Sequence, residues 1–250
     1  MADMTDDQMW RYNRQMMLPQ INYEGQEKLL ESRVFILGAG GLGSPVAIYL
    51  ATSGVGHLVI SDFDKVEITN LQRQILHTEA DVGREKVVSA KETLAALSSD
   101  TQVTIINHKL EGDELAEQVR LADVVVDTTD NFSSRFALNR CCVAEKTPLV
   151  SGSVIRMEGQ VTVFRPDLDD EGPCYHCLYK ESDELGETCT DNGVVAPVVG
   201  IIGTIQATEV LKVLMRIGED LHGRLLLLDA STMEWRSLKL KKDPNCPVCS

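Results

Sequence analysis

Four of the seven cysteines stand in two pairs that are far apart in the chain. The pairs are Cys174 with Cys177 and Cys246 with Cys249, each with the spacing Cys-x-x-Cys. This spacing presents two thiolates to one tetrahedral ion, and four thiolates leave no coordination position for a substrate. The sequence therefore predicts one closed, structural zinc site.

Zinc binding there would tie the end of the chain back across a long loop. Closing a loop of about 70 residues costs about 4 to 5 kcal/mol of chain entropy. A four-thiolate zinc site releases on the order of 10 kcal/mol or more, so we expect the metal to outweigh that cost.

Two disulfides or a redox dithiol are the alternatives to a metal site. The acidic opening MADMTDDQ does not resemble a secretory signal, and seven cysteines are an odd number for a disulfide framework. We therefore expect reduced thiols and a cytoplasmic protein. His176, inside the first pair, could replace one cysteine as a ligand, although four cysteines already fill the shell.

The composition is that of a globular protein that binds neither nucleic acid nor membrane. The net charge is -14 and the basic residues form no run, whereas phosphate contacts need a basic face. The longest uncharged apolar stretch, 193–207, is shorter than the ~20 residues of a membrane span and contains Pro197. We expect a buried loop and helix there.

Strands and helices alternate over the first 150 residues, after a helical segment at 5–30. The predicted strands are RVFIL, HLVISDFD, 102–107, ADVVVDTTD and TPLVSGS, and the predicted helices are Ser44–Thr52, 85–97, 113–121 and 133–145. Such alternation predicts a parallel sheet with helices on both faces, a Rossmann-like α/β fold.

From residue 159 the pattern becomes rich in β-strands. The segments QVTVF, RLLLLD and EWRSLKL alternate apolar and polar residues, and a helix is predicted over 203–217. We expect these strands to add antiparallel to the same sheet. The chain would form a single domain over 1–250, with halves at 1–152 and 153–250.

A glycine-rich loop lies between the first strand and the following helix. Gly38, Gly40 and Gly43 have the spacing G-x-G-x-x-G, in which backbone amides and a helix N-terminus can hold phosphate oxygens. Asp62 ends the second strand, where a carboxylate can accept both ribose hydroxyls. These residues predict a nucleotide site but do not choose between a dinucleotide and ATP.

The charged groups that follow favour ATP. TNLQRQ brings Asn70, Arg73 and Gln74 just past the second strand, and Lys86 opens the next helix. A triphosphate needs several cations, whereas the pyrophosphate of NAD needs few. Asp130 ends the fourth strand, where it could hold magnesium on the phosphates.

These motifs together resemble a known family. GAGGLG, TNLQRQ, TTDN, the opening RYNRQ and the two Cys-x-x-Cys pairs closely resemble the MoeB/ThiF family, relatives of the ubiquitin-activating enzymes. The resemblance covers essentially the whole chain. The segment IRMEGQVTVF at 155–164 is more similar to the molybdopterin-synthase branch than to the thiamine-pathway branch.

The resemblance implies an adenylyltransferase. In this family ATP adenylates the C-terminal glycine of a ubiquitin-like sulfur carrier ending in Gly-Gly, and pyrophosphate leaves. The acyl-adenylate then accepts sulfur from a donor such as a cysteine desulfurase or a rhodanese. The resemblance favours the small subunit of molybdopterin synthase as the carrier, with the thiamine-pathway carrier as the alternative. It also implies a homodimer.

The family's ATP contacts can be carried onto this sequence residue by residue. They fall at Gly41, Asp62, Asn70, Arg73, Lys86 and Asp130 with its neighbour Asn131. Arg14 is implied to reach the triphosphate of a partner subunit. Cys189 stands where some relatives carry a cysteine that takes the carrier or sulfur, and its alternative role is that of an incidental loop thiol.

Two other functions are open on sequence grounds. A Rossmann oxidoreductase that uses NAD would leave Arg73 and Lys86 without a role, and no recognisable proton-transfer residue is present for it. A non-catalytic relative would be expected to lack these cations or Asp130, and all three are present. We predict no catalytic role for any of the five histidines.

Overall fold

A computed structural model describes residues 4–168, 172–180 and 193–250. These residues form one eight-stranded sheet with helices around it. The strands are β1 Arg33–Leu37, β2 His57–Ser61, β3 Gln102–Ile106, β4 Val124–Asp127, β5 Leu149–Ile155, β6 Glu158–Phe164, β7 Arg224–Asp229 and β8 Glu234–Lys239. The α-helices are α1 Asp6–Met16, α2 Asn22–Glu31, α3 Gly43–Thr52, α4 Lys86–Leu97, α5 Gly112–Arg120, α6 Phe132–Glu145, α7 Tyr175–Leu178 and α8 Ala196–Met215.

The strand order is β3-β2-β1-β4-β5-β6-β7-β8. Strands β1 to β5 pair in parallel, and β6, β7 and β8 add antiparallel beyond β5. The predicted mixed sheet is therefore confirmed. The chain leaves β1 toward β2 on one side and later returns to β4 on the other, so a crevice opens at the carboxyl ends of β1 and β4.

Alternate residues of the central strands face two different apolar clusters. Val34 and Ile36 of β1 pack in a cluster that includes residues of α3, α4 and α8. Phe35, between them, packs on the opposite face in a cluster that includes residues of α5 and α6. All three side chains are completely buried, as expected for a parallel strand covered on both faces.

Two helix predictions differ from the structure by more than one or two residues. The segment 5–30 is two helices, because Thr5 caps α1 through a capping box and the chain turns at 17–21 before α2. Helix α8 begins at Ala196 rather than at 203, so this prediction was wrong. Pro197 stands in the first turn of α8, where proline is tolerated because the amide there has no intrahelical partner.

Helix α8 lies in the core of the fold. Its length of 20 residues and mean hydropathy of 1.6 would suffice for a membrane span. However, 56% of the 18-residue apolar segment of this helix is buried within the fold, where Ile202 and Val210 pack with residues of the sheet. This burial is the packing of a core helix, in keeping with the expectation from sequence.

Candidate functional site

A cavity of about 420 Å³ opens at the carboxyl ends of β1, β2 and β4. Its wall combines residues from the glycine loop, the segment after β2, the start of α4 and the start of α6. Nine of the residues predicted from sequence line it: Gly38, Gly40, Gly41, Asp62, Arg73, Gln74, Lys86, Asp130 and Asn131. The structure therefore brings together motifs that are spread over more than 90 residues of sequence.

The glycine loop needs glycine at two positions. Gly38 has a φ of +108°, and a Cβ there would lie 2.9 Å from Oγ1 of Thr128. A Cβ on Gly43 would collide with the carbonyl oxygen of Gly38. The first glycine thus permits the turn, and the last permits close packing of α3 against the loop.

Three backbone amides in the loop are free to bind a ligand. The amides of Gly40, Gly41 and Leu42 have no hydrogen-bond acceptor among the described residues, and all three residues line the cavity. They stand at the N-terminal end of α3, where the helix dipole favours negative charge. The loop therefore has the donors of an anion site.

Asp62 is fixed beside this loop. Its Oδ2 accepts a hydrogen bond of 2.8 Å from the amide of Ala39, and its Oδ1 accepts one of 2.9 Å from the amide of Asp64. Burial raises the pKa of Asp62, while the charge of Lys86 acts in the opposite direction. The carboxylate is held on the cavity wall, and each oxygen retains a lone pair for a ligand hydroxyl.

Lys86 and Arg73 are two of the cationic residues that line the cavity. Lys86 is only 5% exposed, and its Nζ lies 2.8 Å from Oδ2 of Asp64 and 4.0 Å from Oδ2 of Asp62. Arg73 is half-buried and donates a hydrogen bond of 3.2 Å to the carbonyl of Thr69. The cavity thus offers positive charge together with the loop amides.

Asp130 and Asn131 stand at the start of α6. Oδ1 of Asn131 caps the helix by accepting hydrogen bonds of 2.9 Å from the amide of Ser134 and from Oγ of Ser133. The side-chain Nδ2 of Asn131 donates a hydrogen bond of 3.4 Å to Oδ1 of the exposed Asp130. A single carboxylate next to a phosphate site suits magnesium, which is bound by one or two carboxylates together with substrate phosphates.

The four paired cysteines meet in a second site. The Sγ atoms of Cys174 and Cys246 are 3.7 Å apart, those of Cys177 and Cys249 are 3.5 Å apart, and all four lie within 4.8 Å of one another. Zinc–sulfur bonds of about 2.3 Å in a tetrahedron place sulfurs ~3.8 Å apart, so the donor set fits zinc. His176 is not in this cluster.

These separations are far longer than a disulfide bond of about 2.05 Å, and the four cysteines are free thiols. Other groups hold them in place. Nδ2 of Asn139 lies 3.6 Å from Sγ of Cys174, and the amide of Asp243 lies 3.4 Å from Sγ of Cys177. Such outer contacts orient the ligands of a metal site.

The sequence model of the ThiF family matches residues 12–248 of this chain. The chain belongs to the ThiF family. It is 46% identical over 249 residues to the molybdopterin-synthase adenylyltransferase of Escherichia coli (strain K12), covering 100% of this chain and 99% of that protein. It is 45% identical over 246 residues to the sulfur carrier protein ThiS adenylyltransferase of the same organism, covering 98% and 97%.

A solved structure gives the same fold. The crystal structure of E. coli MccB with ATP superposes with a TM-score of 0.81 at 27% identity, covering 96% of this chain and 73% of that one. The ThiF-family assignment therefore rests on sequence and fold together.

Sequence reasoning missed a buried network behind the cavity of this ThiF-family chain. Arg135 of α6 lines the cavity, and its Nε lies 3.8 Å from Oδ2 of Asp127. The same carboxylate oxygen accepts a hydrogen bond of 2.8 Å from Oγ of Ser151. Burial acts to lower the pKa of Arg135, but Asp127 and other neighbours outweigh burial and the pKa is raised.

Nothing local in the sequence marks Arg135 as buried, because an arginine within a helix of mixed polarity is typical of a surface. Asp127 was the residue from which this network could have been predicted. It ends a strand, two residues before Thr129, in the same DTTDN segment that supplied Asp130. The network fixes the segment after β4: Asp127 Oδ1 accepts hydrogen bonds from the amide and hydroxyl of Thr129 at 3.1 and 2.7 Å.

Three predicted site residues of the ThiF-family chain, Gly43, Asn70 and Arg14, do not line the cavity. Asn70 does not line the cavity, although its carbonyl accepts hydrogen bonds of 3.1 Å from the amides of Arg73 and Gln74 and so positions them. Arg14 is exposed on α1 and does not line the cavity of its own chain. Cys189 lies outside the described residues.

Proposed function

We propose that this chain uses ATP to adenylate the C-terminal glycine of a small ubiquitin-like sulfur carrier, releasing pyrophosphate. The observation that supports this most strongly is the cavity, in which three free loop amides face the same space as Arg73 and Lys86. Near full-length similarity to two carrier adenylyltransferases supports the same reaction, and the fold shared with a protein solved with ATP supports ATP as the nucleotide.

The arrangement suits this chemistry. A carboxylate is already ionised at neutral pH, so its attack on the α-phosphate needs no general base. The attack crowds negative charge, and the barrier falls mainly through fixed donors and correct approach. Arg73, Lys86 and the loop amides would supply the donors, and Asp62 would hold the ribose. Magnesium, held by Asp130, would neutralise charge on the phosphates.

The zinc would be structural. Four thiolates complete a closed shell, and none of the four cysteines lines the nucleotide cavity. The metal would bind both the segment at 174–177 and the last residues of the chain. It would thereby fasten the C-terminus to α7 and α6. We propose that the metal stabilises the half of the single domain at 153–250 and takes no part in adenylation.

We propose the small subunit of molybdopterin synthase as the preferred carrier, with the thiamine-pathway carrier as the alternative. The identities of 46% and 45% to the two adenylyltransferases do not separate these choices. The resemblance of the segment at 155–164 supports the first. A second cavity of about 450 Å³, lined by Gln160, Tyr179 and Arg236 among others, lies on the antiparallel strands and offers a surface for the carrier.

We further propose a cytoplasmic homodimer in which Arg14 completes the site of the partner subunit. Trp10, Arg14 and Met17 are spaced by four and three residues, so they share one side of the α1 region. Trp10 is 79% exposed and Met17 is 65% exposed. A partner subunit would cover this apolar surface, and Arg14 would reach the nucleotide cavity of the partner subunit. A cysteine desulfurase or a rhodanese would then supply sulfur to the acyl-adenylate.

Carrier-dependent exchange of labelled pyrophosphate into ATP tests the proposed function. The full-length chain is incubated with ATP, magnesium and the molybdopterin carrier, and the control carrier lacks its last glycine. We expect exchange with the intact carrier alone. Equal exchange with the truncated carrier, or none with either sulfur carrier, would overturn the proposal.

A further inference from the structure

His77 is buried behind the glycine loop and is used by no step described above. It is 5% exposed and lies outside the cavity wall. Its Nε2 lies 2.9 Å from the carbonyl oxygen of Ala39, and its Nδ1 lies 2.9 Å from Oγ of Ser89 on α4. The ring therefore connects α4 to the loop that carries the free amides.

The protonation of the ring follows from its partners. A carbonyl oxygen can only accept, so Nε2 of His77 carries a proton and donates it to Ala39. Burial lowers the pKa of His77, which keeps the ring neutral at pH 7. Nδ1 then accepts a hydrogen bond from the hydroxyl of Ser89.

The carbonyl of Ala39 belongs to the same planar peptide unit as the amide of Gly40. In a trans peptide the C=O and N–H bonds point in opposite directions, so an anchor on one fixes the direction of the other. The preceding peptide is anchored as well, because the amide of Ala39 donates to Asp62. On its other side, the hydroxyl of Thr128 lies 2.8 Å from the carbonyl oxygens of both Leu37 and Gly38 and shares its proton between them.

We propose that His77 is a positioning residue for the phosphate site: it holds the carbonyl of Ala39 so that the amide of Gly40 points into the cavity. The inference rests on the proposed binding of ATP. Loss of this anchor should weaken binding of the phosphates specifically, because a loop peptide that is free to rotate must be ordered when a phosphate binds. The adenosine part of the ligand does not need this amide.

The test compares ATP with adenosine. Dissociation constants of both ligands are measured by calorimetry for the wild-type chain, His77→Leu and His77→Gln. Leucine fills the space without a donor, whereas glutamine keeps a terminal N–H. For one lost hydrogen bond we expect the ATP constant of His77→Leu to rise about tenfold, that of His77→Gln to stay within roughly threefold, and adenosine binding to stay within about twofold.

Wild-type ATP affinity in His77→Leu would overturn the inference, as would an equal loss with adenosine or an equal loss in His77→Gln. Absence of ATP binding by the wild-type chain would instead overturn the proposed function. A second measurement does not depend on the folding of a variant: nitrogen NMR of the wild-type ring reports its tautomer. We expect the Nε2–H form, and the Nδ1–H form would contradict the proposal.

Discussion

The ammonium group of Lys86 lies 2.8 Å from a carboxylate oxygen of Asp64 at the edge of the nucleotide cavity. The lysine side chain is 7% exposed and the aspartate side chain is 56% exposed, so a buried cation is paired with a carboxylate that water can reach. When the pair opens, water can solvate the exposed carboxylate, but the buried ammonium needs another anion in its place. We therefore propose that Lys86 exchanges Asp64 for a phosphate when a nucleotide binds.

Replacing either cation should slow adenylation. Arg73→Ala and Lys86→Ala each remove a fixed donor to a developing anion, so we expect carrier-dependent pyrophosphate exchange to fall by ~10²-fold or more. Asp64→Asn is the matched control, because it keeps Lys86 in place and should leave exchange within about threefold. If Arg73→Ala retained exchange within about twofold, the role given to Arg73 would be wrong.

Asp62 should matter for binding more than for the chemical step. It faces the cavity at the end of β2 and also anchors the amide of Ala39. We expect Asp62→Ala to weaken ATP binding by about tenfold or more, as measured by calorimetry, because a ligand hydroxyl and a loop amide both lose their acceptor. A variant with wild-type ATP affinity and impaired turnover would argue for a different role.

The purified chain should contain about one zinc per subunit, because four thiolates complete one site. Burial raises the pKa of Cys174 to about 11 in the absence of an ion, so zinc binding must displace protons and its affinity should fall as pH is lowered. Cys177→Ala should lose the metal and several kcal/mol of stability. Elemental analysis that finds no zinc in reduced, chelator-free protein would refute the site.

Arg14 should act across a dimer interface. Arg14→Ala and Lys86→Ala chains should each be inactive, but a mixed dimer would hold one intact site. Random mixing of the two should therefore restore roughly a quarter of wild-type exchange. Pairing Lys86→Ala with Arg73→Ala is the control, because each chain then carries a lesion in its own cavity and no mixed dimer holds an intact site. A fully active monomer at micromolar concentration would contradict the dimer.

The adenylation step should not need Cys189. The carrier carboxylate attacks phosphorus directly, so a thiol could act only afterwards, when the carrier or sulfur is handed on. We expect near-normal exchange in Cys189→Ala with the molybdopterin carrier. Abolished exchange in this variant would contradict the direct attack.

Carrier choice is a separate prediction. The wild-type chain should show clearly weaker exchange with the thiamine-pathway carrier than with the molybdopterin carrier, because the segment at 155–164 resembles the molybdopterin branch. Both carriers are compared at equal concentration under the same conditions. Equal rates would leave the enzyme class standing and remove the partner assignment.

Much of the site could be predicted because its residues stand in short segments at strand ends. A parallel sheet brings the carboxyl ends of its strands to one edge, so Gly38, Asp62 and Asp130 had to lie close together. His77 and Arg135 could not be found in this way. Their roles depend on contacts between elements, with a loop carbonyl in one case and a buried carboxylate in the other, and no local pattern encodes such contacts.

The start of α8 was missed for a similar reason. Pro197 and the glycines that follow it favour a loop by local propensity, but the helix is stabilised by burial of its apolar face against the sheet. Packing of Ile202 and its neighbours thus outweighs the local preference. The four-cysteine site was easier to predict, since two Cys-x-x-Cys pairs specify its geometry within the sequence itself.

Intact-mass spectrometry of the carrier tests the central claim most directly. The enzyme is incubated with ATP, magnesium and the sulfur carrier, and the reaction is quenched before any sulfur donor is added. Formation of an acyl-adenylate predicts a carrier that is heavier by one AMP, with pyrophosphate released and no ADP formed. An unmodified carrier, or products of ADP and phosphate, would contradict adenylation of the carrier by this protein.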